Sequence, residues 1–389
     1  MTQVATTVFD RIPMDGPEVR RAVVRTRLRA DAGGRAEIAE ASSVAATPDG
    51  FVVVDRTSSE IIFFDHDGDR LGSVGGPGSG PGEFSKGVFQ AVWIGDRLWV
   101  PDLVNRRLSA IDVSSRKWLD SSPLRLRTGL PWYWMALPGG KLGALVASGR
   151  AALDGSPFDL RYWTGRELRT AFPLSEGAGE MIRGLGSWGA GVFVRGGTRD
   201  ETFAILDPGA GTVRVHDLAG TVVERYAFDP DDSMALAGAD LAYLTRLSAR
   251  YRRTQRQQRE RWAEKIRQRI SEVFPVRGPE SPAPGLDPGP TFGDRYPFFL
   301  NGSPDPATGS IWFARPMTAG EMRDLSDSLG WEGVRQSAKY WDRYGVDGAF
   351  RERLEFPPGV VVTEVRDGRF YGYEMDESGL QHAIVLSPP

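Results

Sequence analysis

The chain has 389 residues, a formal net charge of −3 and no cysteine, which excludes disulfides, thiolate zinc sites and cysteine nucleophiles together. No apolar run approaches the roughly 18 residues that a membrane-spanning helix needs. Glycine (47) and proline (27) are abundant, and with short strand-like runs nearly everywhere this composition points to one large closed β architecture rather than several ordinary domains.

The opening MTQVATTVFDRIP (Met1–Pro13) has no basic segment ahead of an apolar core, so no export signal is read there. Residues 1–19 are expected to form an arm. RRAVVRTRL (Arg20–Leu28) alternates Ala22, Val24, Thr26 and Leu28 with Arg21, Val23, Arg25 and Arg27, the period of a strand with one buried face. Further on, PDGFVVVDRTSSEIIFFD (Pro48–Asp65) falls on GDRLWVPDLVNRRLSAID (Gly95–Asp112) without a gap. The offset of 47 residues carries Asp49 onto Asp96, Asp55 onto Asp102 and Asp65 onto Asp112. Each copy reads as turn, strand, Asp-led turn and strand. A repeat of about 40 to 50 residues made of strands is the pattern of propeller blades, four-stranded antiparallel sheets set around a channel.

Between the copies lies GSVGGPGSGPGEF (Gly72–Phe84), dense enough in glycine to raise the question of a phosphate loop. Spacing answers it. From Gly76 and Gly78 the third place of a dinucleotide fingerprint is Pro81, from Gly80 and Gly82 it is Ser85, and Lys86-Gly87 reverses the end of a P-loop. The next apolar runs, Val88–Val92 and Leu98–Val100, are strand-like rather than helical.

IFFDHDGDRLGSVGGPGSGPGEF followed by DRLWVPDLVNRRLSAID resembles the NHL-type repeat of bacterial six-bladed β-propellers, in which a strand ending in Asp, an Asp-Gly turn, a Gly-Pro-Gly-Glu-Phe connector and a D-x-x-N-x-R turn recur. The match covers Ala45–Asp112. HDLAGTVV (His216–Val223) repeats the D-x-x-G-x-x-[LV] element of Asp65–Leu71, and Tyr296–Arg315 and Trp341–Leu386 are similar to closing blades of such propellers. A third blade around Leu137–Leu168 has lost the consensus. Setting aside residues 227–300 and the arm leaves about six periods. Arg20–Leu28 is then expected at the edge of the last blade, closing the ring. In the connector, Gly75, Gly76, Gly78, Gly80 and Gly82 are expected to take positive φ, Phe84 to fill the space between blades, and Glu83 to accept backbone N–H groups.

The helical period appears once. From Gly238 to Phe274, Leu241, Leu244, Leu247, Tyr251, Trp262, Ile266, Ile270 and Val273 form a stripe at spacings of three and four. From Thr245 to Arg277, eleven basic residues face three acidic ones, so this stretch carries +8 and the remainder −11. Two readings stand side by side: arginines that are solvated or lie back on the acidic propeller, and a docking arm for an acidic protein surface or anionic headgroups. Nucleic acid is disfavoured, because the acidic propeller would repel phosphate. A Pro- and Gly-rich loop, Val276–Pro297, comes after the helix.

For chemistry, His66, His216 and His382 are the only histidines and fall beside hairpin turns or terminal strands, not at a common centre. Asp55, Asp102 and Asn105 could supply oxygens for calcium, but in such turns these residues cap the hairpin. Ser187 lacks the glycine of a nucleophile elbow, since Leu185 stands in its place. LPWYWMALP (Leu130–Pro138) is aromatic; Trp132 and Trp134 are expected between blades, with an exposed partner-binding patch as the other reading.

The expectation is therefore an all-β, six-bladed β-propeller with one long α-helical insertion and a Pro-rich loop. Residues 1–19 form the arm, 20–226 the closing strand and blades 1–4, 227–300 the insertion, and 301–389 the closing blades. The function expected is a non-catalytic binding or scaffold protein, an accessory and membrane-extrinsic subunit docking on a larger assembly, without metal or cofactor. Arg246, Arg250, Arg252, Arg253, Arg256, Arg259 and Trp262, with Trp132 and Trp134, are the partner-binding candidates. The alternatives are a lactonase-, lyase- or quinoprotein-type enzyme, which the family's range includes, and a receptor for a small or carbohydrate ligand at the channel mouth. The resemblance implies the cell envelope, whereas the missing signal pattern points to the cytoplasm.

Overall fold

The computed structural model describes residues 4–10, 18–28, 38–85, 88, 90–125, 130–137, 139–147, 158–173, 193–196, 202–208, 210–217, 219–229, 238–240, 242, 243, 246, 298–305, 307–329, 339–375 and 380–389. The chain is all-β, a six-bladed β-propeller. Three strands come from the first 28 residues: β1 (Thr6–Val8), β2 (Val19–Arg21) and β3 (Val23–Leu28). Blade 1 is β4 (Ala41–Thr47), β5 (Gly50–Asp55), β6 (Glu60–Asp65) and β7 (Arg70–Gly75). Blade 2 is β8 (Val92–Ile94), β9 (Arg97–Asp102), β10 (Arg107–Asp112) and β11 (Lys117–Pro123). Blade 3 is β12 (Leu130–Leu137), β13 (Lys141–Ala147), β14 (Phe158–Trp163) and β15 (Leu168–Pro173). Blade 4 holds β16 (Phe193–Gly196), β17 (Thr202–Asp207), β18 (Thr212–Asp217) and β19 (Val222–Ala227), with β1 as a fifth strand. Blade 5 holds β20 (Asn301–Asp305), β21 (Ser310–Arg315), β22 (Tyr340–Tyr344) and β23 (Phe350–Glu355), with β2 as a fifth. Blade 6 is β24 (Val360–Arg366), β25 (Arg369–Met375), β26 (Gln381–Ser387) and, outermost, β3.

These strands read as continuous apolar runs because blades are covered on both faces. Along β5 successive side chains point to opposite sides: Phe51 and Val53 enter the apolar wedge shared with blade 6, Val52 and Val54 the wedge shared with blade 2. Six such wedges separate the six blades. Trp312 and Phe370 fill the wedge between blades 5 and 6, and Phe313 and Tyr344 the one between blades 4 and 5.

Every blade also carries one extra residue in its outermost regular strand: Leu71, Leu119, Ala171, Val223, Arg351 and, in the closing strand, Arg25. A bulge of this kind bends and twists the strand, and its recurrence marks six copies of one unit, including blade 3, whose sequence has lost the consensus. Turns recur too. Asp65 Oδ1 accepts the N–H groups of Asp67 (2.9 Å) and Asp69 (2.8 Å), and Asp217 Oδ1 those of Ala219 (2.9 Å) and Thr221 (2.8 Å).

The arm departs from its expected course. Val23–Leu28 closes blade 6 against β26, with Thr26 opposite Val385 and Leu28 opposite Ala383. Arg20 and Arg21, expected in the same strand, join Val19 instead in a short strand parallel to β23 of blade 5, and Thr6–Val8 pairs in parallel with β19 of blade 4. The arm thus covers the outer edges of blades 4 and 5 on its way to blade 6, which occupies backbone groups that would otherwise be an open edge.

The long helix expected over 238–274 lies almost wholly outside the described residues; residues 238–240, 242, 243 and 246 are helical. They are tied to an unexpected helix, α1 (Ala319–Leu329), through an Asp240–Arg323 ion pair at 2.9 Å and the Tyr243 ring beneath the Arg323 guanidinium. A capping box starts α1: Thr318 Oγ1 accepts the Glu321 N–H at 3.2 Å while Glu321 Oε2 accepts the Thr318 N–H at 2.8 Å. The Pro-rich loop Val276–Pro297 lies outside the described residues.

Candidate functional site

Among the described residues, inner strands of neighbouring blades form no ladder with one another, so their edge N–H and C=O groups need other partners. Side chains supply them. Gln90 lies against Trp134 of blade 3, its Nε2 donating to the Trp134 carbonyl at 2.6 Å and its Oε1 accepting the Trp134 N–H at 3.0 Å. Thr363 of blade 6 donates to the Val44 carbonyl of blade 1 at 2.6 Å, and Glu364 Oε2 accepts the Ala46 N–H at 3.0 Å. Between blades 5 and 6, Asp305 accepts the Gly368 N–H at 2.9 Å. Bulges at Ser42 in β4 and at Thr363 in β24 interrupt the inner strands where these residues border the channel.

The channel encloses a cavity of about 370 Å³ bounded by β4, β8, β12, β20 and β24, with Ser42, Gln90, Trp93, Tyr133, Glu364 and Arg366 among its walls. Arg366 carries its guanidinium over the Trp93 ring, 4.5 Å from the centroid, and sets its Nε 3.0 Å from Glu364 Oε1.

Outside the channel, the connector is held as a unit. Glu83 Oε2 accepts the Gly80 N–H at 2.7 Å, and Phe84 is fully buried between blades 1 and 2. Gly75, Gly76 and Gly82 take positive φ (122°, 130° and 77°). Gly78 and Gly80 do not; a Cβ at either position would push the Glu83 carboxylate aside. The D-x-x-N-x-R residues clamp the same loop. Asn105 donates to the Gly78 carbonyl at 2.9 Å, and Arg107 donates to the carbonyls of Ser79 and Gly80, each at 2.9 Å, and to that of Glu83.

The carboxylates considered for calcium are committed to this work. Asp55 accepts four backbone N–H groups, from Ala39 (2.7 Å), Glu40 (3.2 Å), Thr57 (2.9 Å) and Ser58 (3.4 Å). Asp102, fully buried, accepts the Ser85 N–H (3.0 Å) and hydroxyl (2.5 Å) and the Asn105 N–H (3.1 Å) and side-chain amide (2.8 Å). Among the described residues, no three His, Asp or Glu side chains come together as a metal site.

The histidines lie apart. His66 is on the turn after β6, with Nδ1 3.1 Å from an Arg369 nitrogen. His216 in blade 4 is buried, stacked on Phe203 with centroids 5.2 Å apart, and its Nδ1 lies 3.0 Å from the Gly220 carbonyl; burial holds its pKa below the ordinary histidine value. His382 sits opposite Glu374 in blade 6. Exposed carboxylates behave differently: hydroxyl and N–H donors from Ser115 and Ser114 hold Asp112 at about 2.

Of the partner-binding candidates, Arg246 is exposed. Arg250, Arg252, Arg253, Arg256, Arg259 and Trp262 lie outside the described residues, as does Ser187. Trp132 is on β12. Trp134 is a core residue, 1% exposed between blades 2 and 3 with Leu108 and Leu142; that burial removes it from the partner-binding set. Gln90, Trp93, Thr363, Glu364 and Arg366 were not singled out in the sequence. The one signal was the polar pair Thr363-Glu364 inside the apolar run of β24.

No protein-family model matches the sequence, and no curated protein matches it. Solved structures similar to the chain include a protein from Bacteroides fragilis (8% identity, 99% of this chain and 100% of that one, TM-score 0.49). The calcium-binding protein regucalcin from Agrobacterium tumefaciens is similar at 12% identity over 99% of this chain and 98% of that one, TM-score 0.43. Virginiamycin B lyase from Staphylococcus aureus is similar at 9% identity over 90% and 84%, TM-score 0.38. At these identities and scores no function transfers, and the six-bladed assignment stands on the strand pairing.

Proposed function

We propose that the chain is a non-catalytic propeller that docks, as an accessory and membrane-extrinsic subunit, on a larger protein assembly. The observation that supports this reading is the commitment of Asp55 and Asp102: the oxygens best placed by sequence to grip a cation accept backbone and side-chain donors that fasten connectors to blades. Removing either carboxylate for chemistry would strand several donors, most of them half-buried. The docking arm of this proposal is the Arg-rich segment Thr245–Arg277, with Arg250, Arg252, Arg253, Arg256 and Arg259 meeting acidic side chains or anionic headgroups. The fastening of Asp240 and Tyr243 to α1 supports a fixed root for it beside blades 5 and 6.

The enzyme reading makes the opposite demand on the purified protein. Elemental analysis and an absorption spectrum are expected to show neither a stoichiometric metal nor a chromophore beyond the aromatic side chains. A metal or a quinone at one per chain would sink the non-catalytic reading.

A further inference from the structure

We infer that the channel cavity is a binding site for a small organic anion, a carboxylate carried on a compact apolar body. The inference is independent of docking on a partner. Its volume of about 370 Å³ lies at the lower end of small-molecule sites, roughly 300 to 1,000 Å³, which are lined largely by apolar groups with a few placed polar ones.

The charge selectivity comes from which polar groups are already spent. Glu364 has Oε2 on the Ala46 N–H and Oε1 facing the Arg366 Nε. Gln90 is engaged at both ends by Trp134, and Thr363 by the carbonyls of Val44 and Tyr371. Arg366 is different. It reaches from blade 6 past blade 1 to stack on Trp93 of blade 2, and its two terminal nitrogens have no partner among the described residues. A guanidinium fixed by stacking on one face and by a carboxylate at Nε presents a planar fork, the geometry that takes a carboxylate by two parallel hydrogen bonds. Apolar walls from Val92, Met135 and Val362 would cover the body of such a ligand. A cation finds no unspent carboxylate oxygen on Glu364.

The test titrates benzoate, phenylacetate and cyclohexanecarboxylate into the full chain by calorimetry and thermal shift, with benzamide and benzylamine as neutral and cationic matches. At least one carboxylate is expected to bind with one site per chain and to raise the Tm, while the amide and amine do not. Arg366→Gln is expected to abolish binding, and Arg366→Lys, which keeps the charge but loses the fork, to weaken it at least tenfold. Glu364→Gln keeps an acceptor for Ala46 but turns an amide NH2 toward the Arg366 Nε–H, so the fork loses its anchor and binding is expected to weaken severalfold. Circular dichroism of each variant establishes folding; if Arg366→Gln fails to fold, the lysine and Glu364→Gln variants decide. No binding by any carboxylate, equal binding by benzamide, or undiminished binding by either Arg366 variant would overturn the inference.

Discussion

The Phe9 ring stacks on Tyr226 with centroids 5.4 Å apart and planes 13° from parallel. Phe9 comes directly after β1 in the N-terminal arm, yet it is 2% exposed and touches Phe228, Phe313 and Tyr344 of the wedge between blades 4 and 5. The arm is therefore part of the core, and the ring is fastened at three consecutive blades by one end of the chain. Phe9→Ala is expected to cost about 3–5 kcal/mol, the range for removing a buried aromatic ring. Chemical denaturation of the full chain checks it; a loss under about 1 kcal/mol would mean that the arm is an ornament on a self-sufficient ring.

Asp102 tests whether the carboxylates are structural. Asp102→Ala leaves the Ser85 and Asn105 donors without their acceptor, and a cost of about 3 kcal/mol or more is expected. Millimolar calcium should leave the Tm of the wild-type protein unchanged. A calcium-dependent rise that Asp102→Ala removes would reassign this residue as a ligand.

His216 sets a pH dependence. Its folded pKa is depressed by burial from 6.5, so as pH falls below that value the unfolded chain takes up the proton first and the native state loses stability. The loss continues until the folded imidazole also titrates, and amounts to at most about 1.4 kcal/mol for each pH unit. Thermal melts between pH 7.5 and 5 are expected to fall more steeply for the wild type than for His216→Asn, which can still donate to the Gly220 carbonyl. Parallel curves would remove His216 from this role.

Gly78 and Glu83 form a steric pair. Gly78 needs no positive φ, so Gly78→Ala is expected to cost about 1–3 kcal/mol through crowding of the Glu83 carboxylate alone. In a Glu83→Ala background the cost should shrink, a coupling that a double-mutant cycle measures. Additive costs would place the strain elsewhere.

Blades 1 and 2, and one turn of blade 4, were legible because their turns are written in side chains. Asp65 and Asp217 fold the same turn with the same two N–H bonds, and Asp102, Asn105 and Arg107 clamp the connector through polar atoms that only those residues supply. Blade 3 hid because it turns on backbone conformation, with Gly139 and Gly140 both at φ 67°, and on a Thr164–Glu167 hairpin. Strands β1 and β2 are three residues long and pair in parallel across more than 200 residues of sequence, so no local period announces them. The outer-strand bulges accept Leu71, Val223 or Arg351 alike. Helix α1 did leave a trace, the Thr318–Glu321 capping box, but its first turn holds a glycine that weakens the helical pattern. The channel site needed the fold, since Arg366 and Trp93 are separated by most of the chain and meet only when the ring closes.

Docking through the basic segment is tested most directly by co-purification from native membranes. Tagged wild-type chain is compared with a variant in which Arg252, Arg253, Arg256 and Arg259 are all changed to glutamate. The account predicts a defined partner at fixed stoichiometry with the wild type, absent from the charge-reversed chain although that chain keeps the wild-type Tm. Retention of the same partner by both chains would contradict it.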